Sequence, residues 1–537
     1  MKQLKQLTAA FSADDRDSEP ILALNPAAEA LLSGASNPEI ELVAQDSRRC
    51  TNKSIFVAIR GFDHDGHKYL RQAAEHGAVA AFVEEFDESL PELAQIKTED
   101  SRLAFAVLSR SFFDDPSREL HLTGITGSNG KTSTSLFLRS IHTAAAYETG
   151  LIGTVVYASK TQEIEAKLTT PDAWVLQGLF RQMIDEGMDH AIMESSSIGQ
   201  HQQRDRGCDY DVIALINLSH EHIDYHGSYE AYIDAKMKIL ERAKPEAICI
   251  LNADNADVMR QRPRCHAEVF TFGASNGADI RVRDLDLSKG YAHFYIDFSE
   301  RIVERFKLSE DERSLEVQLA VPGEHSVYNA LAATGMALAS KIRPATIRRG
   351  LETYLGVERR FQEVFDGNFE GADFRIFDDH FSNQENIRVT LSTLSKIQYR
   401  RLHLLFAVRG KRGATIVRES IEEIAKWAKR LPLESFFATT SQDVVDQDNE
   451  VLPEELAALH ESLATYGLEC EIFEELRPAL YAMLDRVKSG DVILLGGAQG
   501  IDAGARLLLE ELARRHPEWD RERLMAPIRD RVCGQEP

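Results

Sequence analysis

The sequence predicts an α/β protein of three domains, and three observations predict it. Residues 124–132, Gly-Ile-Thr-Gly-Ser-Asn-Gly-Lys-Thr, stand between a short strand-like run, Leu120 to Thr123, and a stretch from Ser133 to Ile141 with Leu136, Phe137 and Ile141 at helical spacing. Apolar runs at 191–193, 212–216 and 247–251 each end in polar residues: Glu194, Asn217, and Asn252 with Asp254. A second set with the same habit begins after Gly356. Strands that alternate with helical patterns form open parallel sheets, and ligand groups gather at the carboxyl ends of such strands.

Taken in order, the first hundred or so residues hold short mixed elements. Ser54 to Ile59 reads as a strand, an amphipathic helix runs through Tyr69-Leu70 and Ala73-Ala74, Gly77 stops it, and Val79 to Val83 is a second strand. This is an N-terminal mixed α/β domain over residues 1–118. From about Glu119 the pattern becomes strand, polar turn, helix, as in a P-loop ATPase-like, doubly wound central domain over 119–352. The join falls near Leu351–Arg360, and a Rossmann-like domain over 353–537 follows. Its strands are Phe374–Phe377 ending in Asp378-Asp379, Leu404–Val408 ending in Arg409-Gly410-Lys411, Ser435–Ala438, and Val492–Leu495 ending in Gly496-Gly497. A length of 537 residues fits three or four domains, and the absence of an internal repeat sets solenoids aside.

Composition narrows the function. The balance of 62 basic against 86 acidic residues, a net −24, argues against nucleic acid or an anionic membrane as the main partner, so an anionic ligand needs a local cationic cluster. No apolar run reaches the length of a membrane span, and Met1-Lys2-Gln3-Leu4-Lys5 lacks a signal-peptide core. The six cysteines (Cys50, Cys208, Cys249, Cys265, Cys470 and Cys533) are scattered without a C-x-x-C pair, as expected of reduced thiols in a cytoplasmic protein.

A strand, a glycine-rich turn and Lys-Thr opening a helix make a phosphate-binding loop. Backbone N–H groups close around phosphate oxygens, the helix N-terminus favours negative charge, Lys131 balances the β/γ-phosphates and Thr132 offers its hydroxyl to Mg²⁺. The loop is a variant, because the strict pattern places glycine where Ile125 stands, with Gly124 and Gly127 on either side. The structural alternative is a glycine-rich turn with a chance Lys-Thr; a nucleoside triphosphate fits better. Glu194, following a strand and preceding Ser195-Ser196-Ser197, is placed to hold Mg²⁺; otherwise it is a helix N-terminal carboxylate. His220, His222 and His226 admit a zinc reading, against which stands a polar loop with one or two functional histidines. In the helix after Ser228, Tyr229, Tyr232, Ile233, Lys236 and Leu240 share one face while Lys238 points elsewhere. Lys236 on an apolar stripe either snorkels to water or points into the site, paired with an anion or chemically modified.

Together these residues resemble the muramyl ligases, ATP-dependent amide-bond formers of peptidoglycan precursor synthesis, and most closely the members that add the third peptide residue. Asp46-Ser47-Arg48, Phe56-Val57-Ala58, Gly61, Asp65-Gly66-His67 and Gly77-Ala78 resemble the UDP-binding N-terminal domain of those members. Gly124 to Thr132 resembles the ATP loop, and Thr169-Thr170-Pro171-Asp172 a segment that contacts the UDP-muramyl peptide; Glu194, Ser196, Ser197, Gln202 and Arg204 follow the spacing of the next. Asn217, His222, Asp224, His226 and Lys236 match the metal loop and the lysine that is carbamylated in the family. Asn252 with Asp254, and His325 with Asn329, resemble nucleotide-contacting positions.

The resemblance implies a cytoplasmic monomer that adds diaminopimelate or lysine to UDP-N-acetylmuramoyl-L-Ala-D-Glu through an acyl phosphate, at the expense of ATP. Lys131, Glu194, His222 and Lys236 would be catalytic. Gly127, Ser128, Asn129, Gly130, Lys131, Thr132, Ser133, Asn329, Arg360 and Asp378 would bind ATP, the last two on closure of the C-terminal domain. Ser47, Arg48, Thr169, Thr170, Ser197, Gln202 and Arg204 would bind the UDP-substrate. Two Mg²⁺ sites would use Thr132 and Glu194, and His222 with carbamylated Lys236.

The departures concentrate in the C-terminal domain. Ile198 replaces a histidine and Ser326 an asparagine of the family pattern. Gly356-Val357-Glu358-Arg359-Arg360-Phe361 is more like the alanine-adding ligases. Asp378 begins Asp-Asp-His-Phe-Ser-Asn, and near Gly497 the chain has Gly-Ala-Gln-Gly-Ile-Asp. The Asp-Asn-Pro-Arg segment that holds diaminopimelate is absent; Ser441-Gln442-Asp443-Val444 follows the corresponding strand. Two alternatives therefore stay in view: a related ATP-dependent ligase making another amide, such as a folate polyglutamylating enzyme, and a degenerate nucleotide-binding homologue.

Overall fold

The computed structural model describes the chain except residues 13–19, 36, 62–63, 288–290, 355, 357, 382, 530 and 532–537. Val357, Ser382 and Cys533 lie outside the described residues, as does the side chain of Asp224. The chain divides into two compact units: residues 1–283, 295–316 and 328–351, and residues 284–294, 317–327 and 352–537.

The first unit opens with a five-stranded sheet: β1 (Ile21–Leu24), β2 (Leu42–Ala44), β3 (Ser54–Val57), β4 (Ala80–Val83) and β5 (Ala94–Thr98), in the order β1-β5-β4-β3-β2. Strands β2 to β5 run parallel, and β1 pairs antiparallel with β5. Alternate residues serve opposite faces. Val43, Ile55, Val57, Phe82 and Ile96 join Ala104, Phe105 and Leu108 of α1 (Ser101–Phe112), while Ala44, Phe56, Ala81 and Val83 join Leu70 and Ala73. The helix expected through Tyr69–Ala74 forms as a 3₁₀ turn, Gly66–Tyr69, leading into Leu70–Glu75. Gly77 ends it at φ +92°, a conformation that glycine adopts without strain.

The same unit continues with β6 (His121–Thr126), α2 (Lys131–Ala144), β7 (Thr149–Ile152), α3 (Ala173–Asp185), β8 (His190–Glu194), β9 (Val212–Leu215), α4 (Tyr229–Glu241), β10 (Ile248–Asn252) and β11 (Glu268–Gly273). The strands stand parallel in the order β7-β8-β6-β9-β10-β11. The chain leaves β6 toward one side and later crosses to the other, so the carboxyl end of β6 is a topological switch point, where such sheets bind ligands. Strand β6 runs on through Thr126, so Gly124 is a strand residue and not part of the loop. A Cβ there would fall 2.7 Å from the ring of Tyr210, and close packing accounts for the glycine.

At the opposite, amino-terminal ends of these strands His121, His142, His190 and Tyr147 cluster, with the Tyr147 and His190 rings stacked at 4.3 Å. Burial, and then the neighbouring histidines, push His142 down to about 3. The five described cysteines form no disulfide among the described residues, and the fold brings together two that look unrelated in sequence: the thiols of Cys249, in β10, and Cys265 hydrogen-bond each other.

The second unit is built on β12 (Gln362–Phe365), β13 (Phe374–His380), β14 (Leu402–Ala407), β15 (Leu433–Thr439), β16 (Glu471–Phe473) and β17 (Asp491–Gly497), in the order β12-β13-β17-β14-β15-β16. All neighbours are parallel except β12 and β13. Both faces are covered, as a doubly wound sheet requires. Phe377, Leu404, Phe406, Ala438 and Leu494 face α5 (Gln384–Leu394), α6 (Ala414–Ala428) and α7 (Pro453–Tyr466). Ile376, Leu405, Phe437, Ile493 and Leu495 face α8 (Leu476–Leu484) and α9 (Gly504–Arg515). Asp378 and Asp379, expected just past the strand, lie within β13 because the strand extends to His380.

Candidate active site

The loop between β6 and α2 is residues 127–130, and its shape follows from its glycines and its neighbours. Gly130 takes φ +87° to open the helix, and a Cβ there would fall 2.5 Å from Asn329 Oδ1. Asn217, at the end of β9, clamps the loop from the other side. Its Oδ1 accepts the Asn129 N–H (2.8 Å), its Nδ2 donates to the Asn129 carbonyl (2.8 Å), and its own carbonyl accepts the Ser128 N–H (3.0 Å). The Ser128 hydroxyl shares a hydrogen bond with the Tyr232 hydroxyl of α4 at 2.6 Å. The expected partnership of loop and neighbouring strand end is therefore present, with Asn217 holding it.

Two ammonium groups converge on this loop. Lys131 Nζ donates to the carbonyls of Gly127 (2.9 Å) and Ser128 (2.8 Å), and Lys236 Nζ donates to the same Gly127 carbonyl (2.7 Å). Lys236 is 1% exposed and lies over the Tyr232 ring at 5.0 Å. Burial, and then the charge of Lys131, hold its pKa well below the usual lysine value. The snorkelling alternative is thereby set aside. Lys238 is half-buried and away from the loop, but the buried surface of α4 is wider than the expected stripe. Ala235, Met237 and Ile239 are buried along with Tyr232 and Leu240, whereas Tyr229 and Ile233 are only partly covered.

Glu194 ends β8 at 1% exposure. Its carboxylate accepts the Thr132 hydroxyl (3.1 Å), the Thr154 hydroxyl (2.8 Å) and the Thr154 N–H (3.2 Å). A carboxylate and a threonine hydroxyl at the mouth of a phosphate loop are hard oxygen donors, the set that suits Mg²⁺. Thr154 has no motif around it and is legible only from the fold. The helix N-terminal alternative for Glu194 fails, since Ser196 caps the next helix, Ser197–His201.

His222 is exposed, in a left-handed conformation (φ +51°) at the head of a short helix, Ile223–His226, with its ring 6.5 Å from that of Tyr232. His220 stacks on Tyr229 at 4.0 Å. Among the described residues no group of three or more His, Cys, Asp or Glu is arranged to hold a metal ion, so the zinc reading finds no support.

The residues expected to take the UDP-substrate lie beside Glu194. The Thr170 hydroxyl donates to the Glu194 carbonyl (3.0 Å), Arg204 donates to the Thr170 carbonyl (2.8 Å) and to Gln202 Oε1 (2.6 Å), and Thr169 and Thr154 share a hydroxyl contact at 3.1 Å. Ser197 Oγ is buried without a hydrogen-bond partner among the described residues. Gln202 and Arg204 line a cleft with Gln45, Arg102 and Asp172, in which Arg102 and Gln45 carry no motif. Ser47 and Arg48 stand two and three residues after Gln45 but do not line it. Ser47 is buried and donates to Gln72 Oε1 (2.7 Å), and Arg48 is exposed and paired with Asp46 (2.8 Å).

In the second unit Arg360 is exposed. Asp378 is fully buried, with Arg531 at 2.7 Å and Arg359 at 3.3 Å. His380 is driven down to about 3 by burial first and then by Arg360, Arg359 and Arg409. The buried Glu455 accepts the backbone N–H groups of Lys411, Arg412 and Gly413, which fixes the loop after β14.

Residues 39–113 match the catalytic domain of the Mur ligase family, residues 125–337 the Mur ligase middle domain, and residues 359–499 the Mur ligase, glutamate ligase domain. A UDP-N-acetylmuramoyl-L-alanyl-D-glutamate–2,6-diaminopimelate ligase of Bacillus licheniformis is 33% identical over 474 residues, 87% of this chain and 91% of that protein. Its namesake in Listeria monocytogenes is 31% identical over 467 residues, 86% and 89% of the two chains. A crystal structure of MurF from Acinetobacter baumannii shares the fold at a TM-score of 0.61 and 20% identity, over 96% of this chain and 99% of that one. A MurF ligase from Thermotoga maritima in complex with ADP does so at 0.58 and 17%, over 89% and 98%.

Proposed function

The chain belongs to the Mur ligase family, and on that premise we propose that it joins an amino acid, diaminopimelate or lysine, to UDP-N-acetylmuramoyl-L-Ala-D-Glu with ATP, in peptidoglycan precursor synthesis. Its domains would be 1–118 for the UDP-muramyl peptide, 119–352 for ATP, and 353–537 for the incoming amino acid and closure over the nucleotide. It would act in the cytoplasm as a monomer; no helix among the described residues is long and apolar enough to cross a membrane.

The observation that carries this reading is the meeting of Lys131 and Lys236 at the Gly127 carbonyl, beside the Thr132–Glu194 contact. An amide does not form usefully from a carboxylate and an amine in water, so the carboxylate is first activated. The donor carboxylate attacks the γ-phosphorus, ADP leaves, and the resulting acyl phosphate is attacked by the incoming amine with loss of inorganic phosphate. The first step brings two anions together. Lys131 exchanges its loop carbonyls for the β/γ-phosphates and neutralises part of that charge. Residues 127–130, Ser133 and Asn329 surround the phosphates. Ser47 and Arg48 take the uridine end of the donor, and Thr169, Thr170, Ser197, Gln202 and Arg204 orient its peptide. Closure brings Arg360 and Asp378 to the nucleotide and excludes water from the acyl phosphate.

Thr132 and Glu194 would hold one Mg²⁺. A second would lie on His222 and Lys236, provided Lys236 is carbamylated: the free ammonium repels a cation, whereas its depressed pKa supplies the neutral amine that reacts with CO₂. When bound, the ions screen the meeting anions. The test is phosphate release by the purified protein with ATP, Mg²⁺ and the UDP-muramyl dipeptide across a panel of amino acids. Release that needs both the dipeptide and one amino acid is expected; release that ignores the dipeptide would move the chain to a ligase of another amide.

A further inference from the structure

Beyond the region matched by the glutamate ligase domain, which ends at residue 499, the chain adds α9 and a further segment that folds back onto β12. The Trp519 ring stacks on His516 at 4.0 Å and lies 5.9 and 5.5 Å from Phe365 and Phe369. The Pro527 carbonyl accepts Gln362 Nε2 at 2.8 Å. Arg531, 5% exposed, then reaches Asp378 Oδ2 (2.7 Å) and Gln362 Oε1 (2.6 Å).

These bonds end on the residues that flank Arg360. The other oxygen of Asp378 accepts Arg359 Nε (3.3 Å), and Arg359 also donates to the carbonyls of Gly497 (2.6 Å) and Ala498 (3.0 Å) and pairs with Asp502. Gln362 Oε1, held by Arg531, accepts the Arg359 N–H as well (3.2 Å). On the far side the Phe361 N–H donates to Asp379 (3.0 Å), and its ring stacks on Phe377 at 4.7 Å. Arg359 and Phe361 both occupy left-handed backbone conformations, φ +55° and +49°. Neither is a glycine, so these conformations persist only where the surroundings over-determine them. Arg360 stands between them with its side chain exposed.

We propose that residues 519–529 together with Arg531 form a brace for Arg360, and that Arg531 is a positioning residue for the nucleotide site. The proposal rests on the reading of Arg360 as a nucleotide contact. Buried Arg359, Arg531 and Asp378, with the partly exposed Asp502, hold two charges of each sign. Taking away Arg531 leaves Asp378 under-compensated in a buried place, the situation in which ion pairs are most sensitive to loss of a partner. Arg359 and the strained turn then lose their fixed partner, and Arg360 its fixed direction. A cap that only stabilised the domain would lower the melting temperature without touching nucleotide affinity.

The test compares Arg531→Met, Arg531→Lys, Arg360→Ala and the Arg360→Ala/Arg531→Met pair in the full-length protein, with KM for ATP, kcat and calorimetric affinity for ADP as readouts. Arg531→Met should raise KM for ATP and weaken ADP binding about tenfold with a much smaller change in kcat, and Arg531→Lys should recover most of it. The double variant should be no worse than Arg360→Ala alone, because the two residues act in series. Arg523→Ala, an exposed residue of the same segment paired with Glu370, should change nothing. Wild-type ADP affinity in Arg531→Met, with Arg360→Ala impaired, would overturn the brace and leave the nucleotide site standing. Unchanged ADP affinity in Arg360→Ala would remove the reading of Arg360, and the brace with it. If Arg531→Met does not fold, Arg531→Gln, which keeps a donor for Asp378, carries the same comparison.

Discussion

The two doubly wound sheets of this protein treat their strand-end polar residues differently. In the central sheet Glu194, Asn217 and Thr132 bond to one another's neighbourhood around a loop that has few internal contacts of its own, and two lysines crowd the same carbonyl. In the C-terminal sheet the corresponding groups are spent inside the domain. Asp378 is enclosed by Arg359 and Arg531, Asp379 binds Phe361 N–H and Thr390, and Glu455 takes the backbone of Lys411 to Gly413. Lys131, half-buried beside a lysine whose pKa is held well below its usual value, sets a cation at a glycine loop and a helix N-terminus, an arrangement that suits an anion. A self-satisfied cluster is as consistent with support as with chemistry.

The widest test of that contrast is Lys131→Ala. It should lower ATP-dependent phosphate release about 10³-fold or more, because the charge at the β/γ-phosphates has no substitute. Near-normal turnover with unchanged circular dichroism would remove the phosphate-loop assignment and the contrast with it. Lys236→Ala should follow, with a loss of about 10²-fold or more, retained ATP binding and partial rescue by short carboxylic acids. Lys238→Ala should stay active. Bicarbonate labelled with ¹³C should give a carbamate signal in the wild type that Lys236→Ala lacks; full activity of an unlabelled, unmodified lysine without CO₂ would defeat that role.

In the C-terminal sheet effects should be smaller and fall on the acceptor. Lys411, Arg412 and His380 are the candidates for an acceptor carboxylate in place of the absent Asp-Asn-Pro-Arg segment. The Lys411 ammonium already reaches the Gln447 carbonyl, and His380 is neutral near pH 7, which leaves Arg412 as the strongest of the three. Arg412→Ala should raise KM for diaminopimelate or lysine about tenfold, a change worth ~1.4 kcal/mol, with KM for ATP unchanged. Turnover confined to small neutral amino acids would show that no such carboxylate is read.

The smallest effect belongs to the amino-terminal ends of the central strands. His142 ordinarily titrates at 6.5 and is held to about 3 in the fold, so between these values the unfolded chain binds a proton that the folded one does not. Stability should therefore fall as pH drops from 6.5 toward 3, by about 1–2 kcal/mol from this residue at pH 5. His142→Gln should flatten that slope in urea melts while leaving turnover at pH 7 near the wild-type value; an unchanged slope would discount the residue.

Much of the central site is legible in the chain because it is local. Gly127 to Thr132 is contiguous, Glu194 and Asn217 each end an apolar run, and Lys236 falls on a helical stripe, so short-range spacing alone marks them as candidates. Thr154, Gln45 and Arg102 were not legible. Each reaches the site through strand order and domain packing, and none stands in a pattern of period two or 3.6. Gly124 is the instructive misplacement: it looks like a loop glycine and is a strand residue beneath Tyr210. Asp378 is another, a strand-end carboxylate whose burial among arginines depends on residues far along the chain.

Hydrophobic periodicity and glycine placement by themselves determined the α/β class and the phosphate loop, because these are set by neighbours a few residues apart, and the resemblance of separated short motifs pointed to the family. Which strand-end groups stand at the phosphate loop and which are enclosed by other side chains was decided only in three dimensions. The meeting of Lys236 with the Gly127 carbonyl and of Arg531 with Asp378 joins residues 109 and 153 positions apart, and long-range packing sets whether such a polar group has a partner.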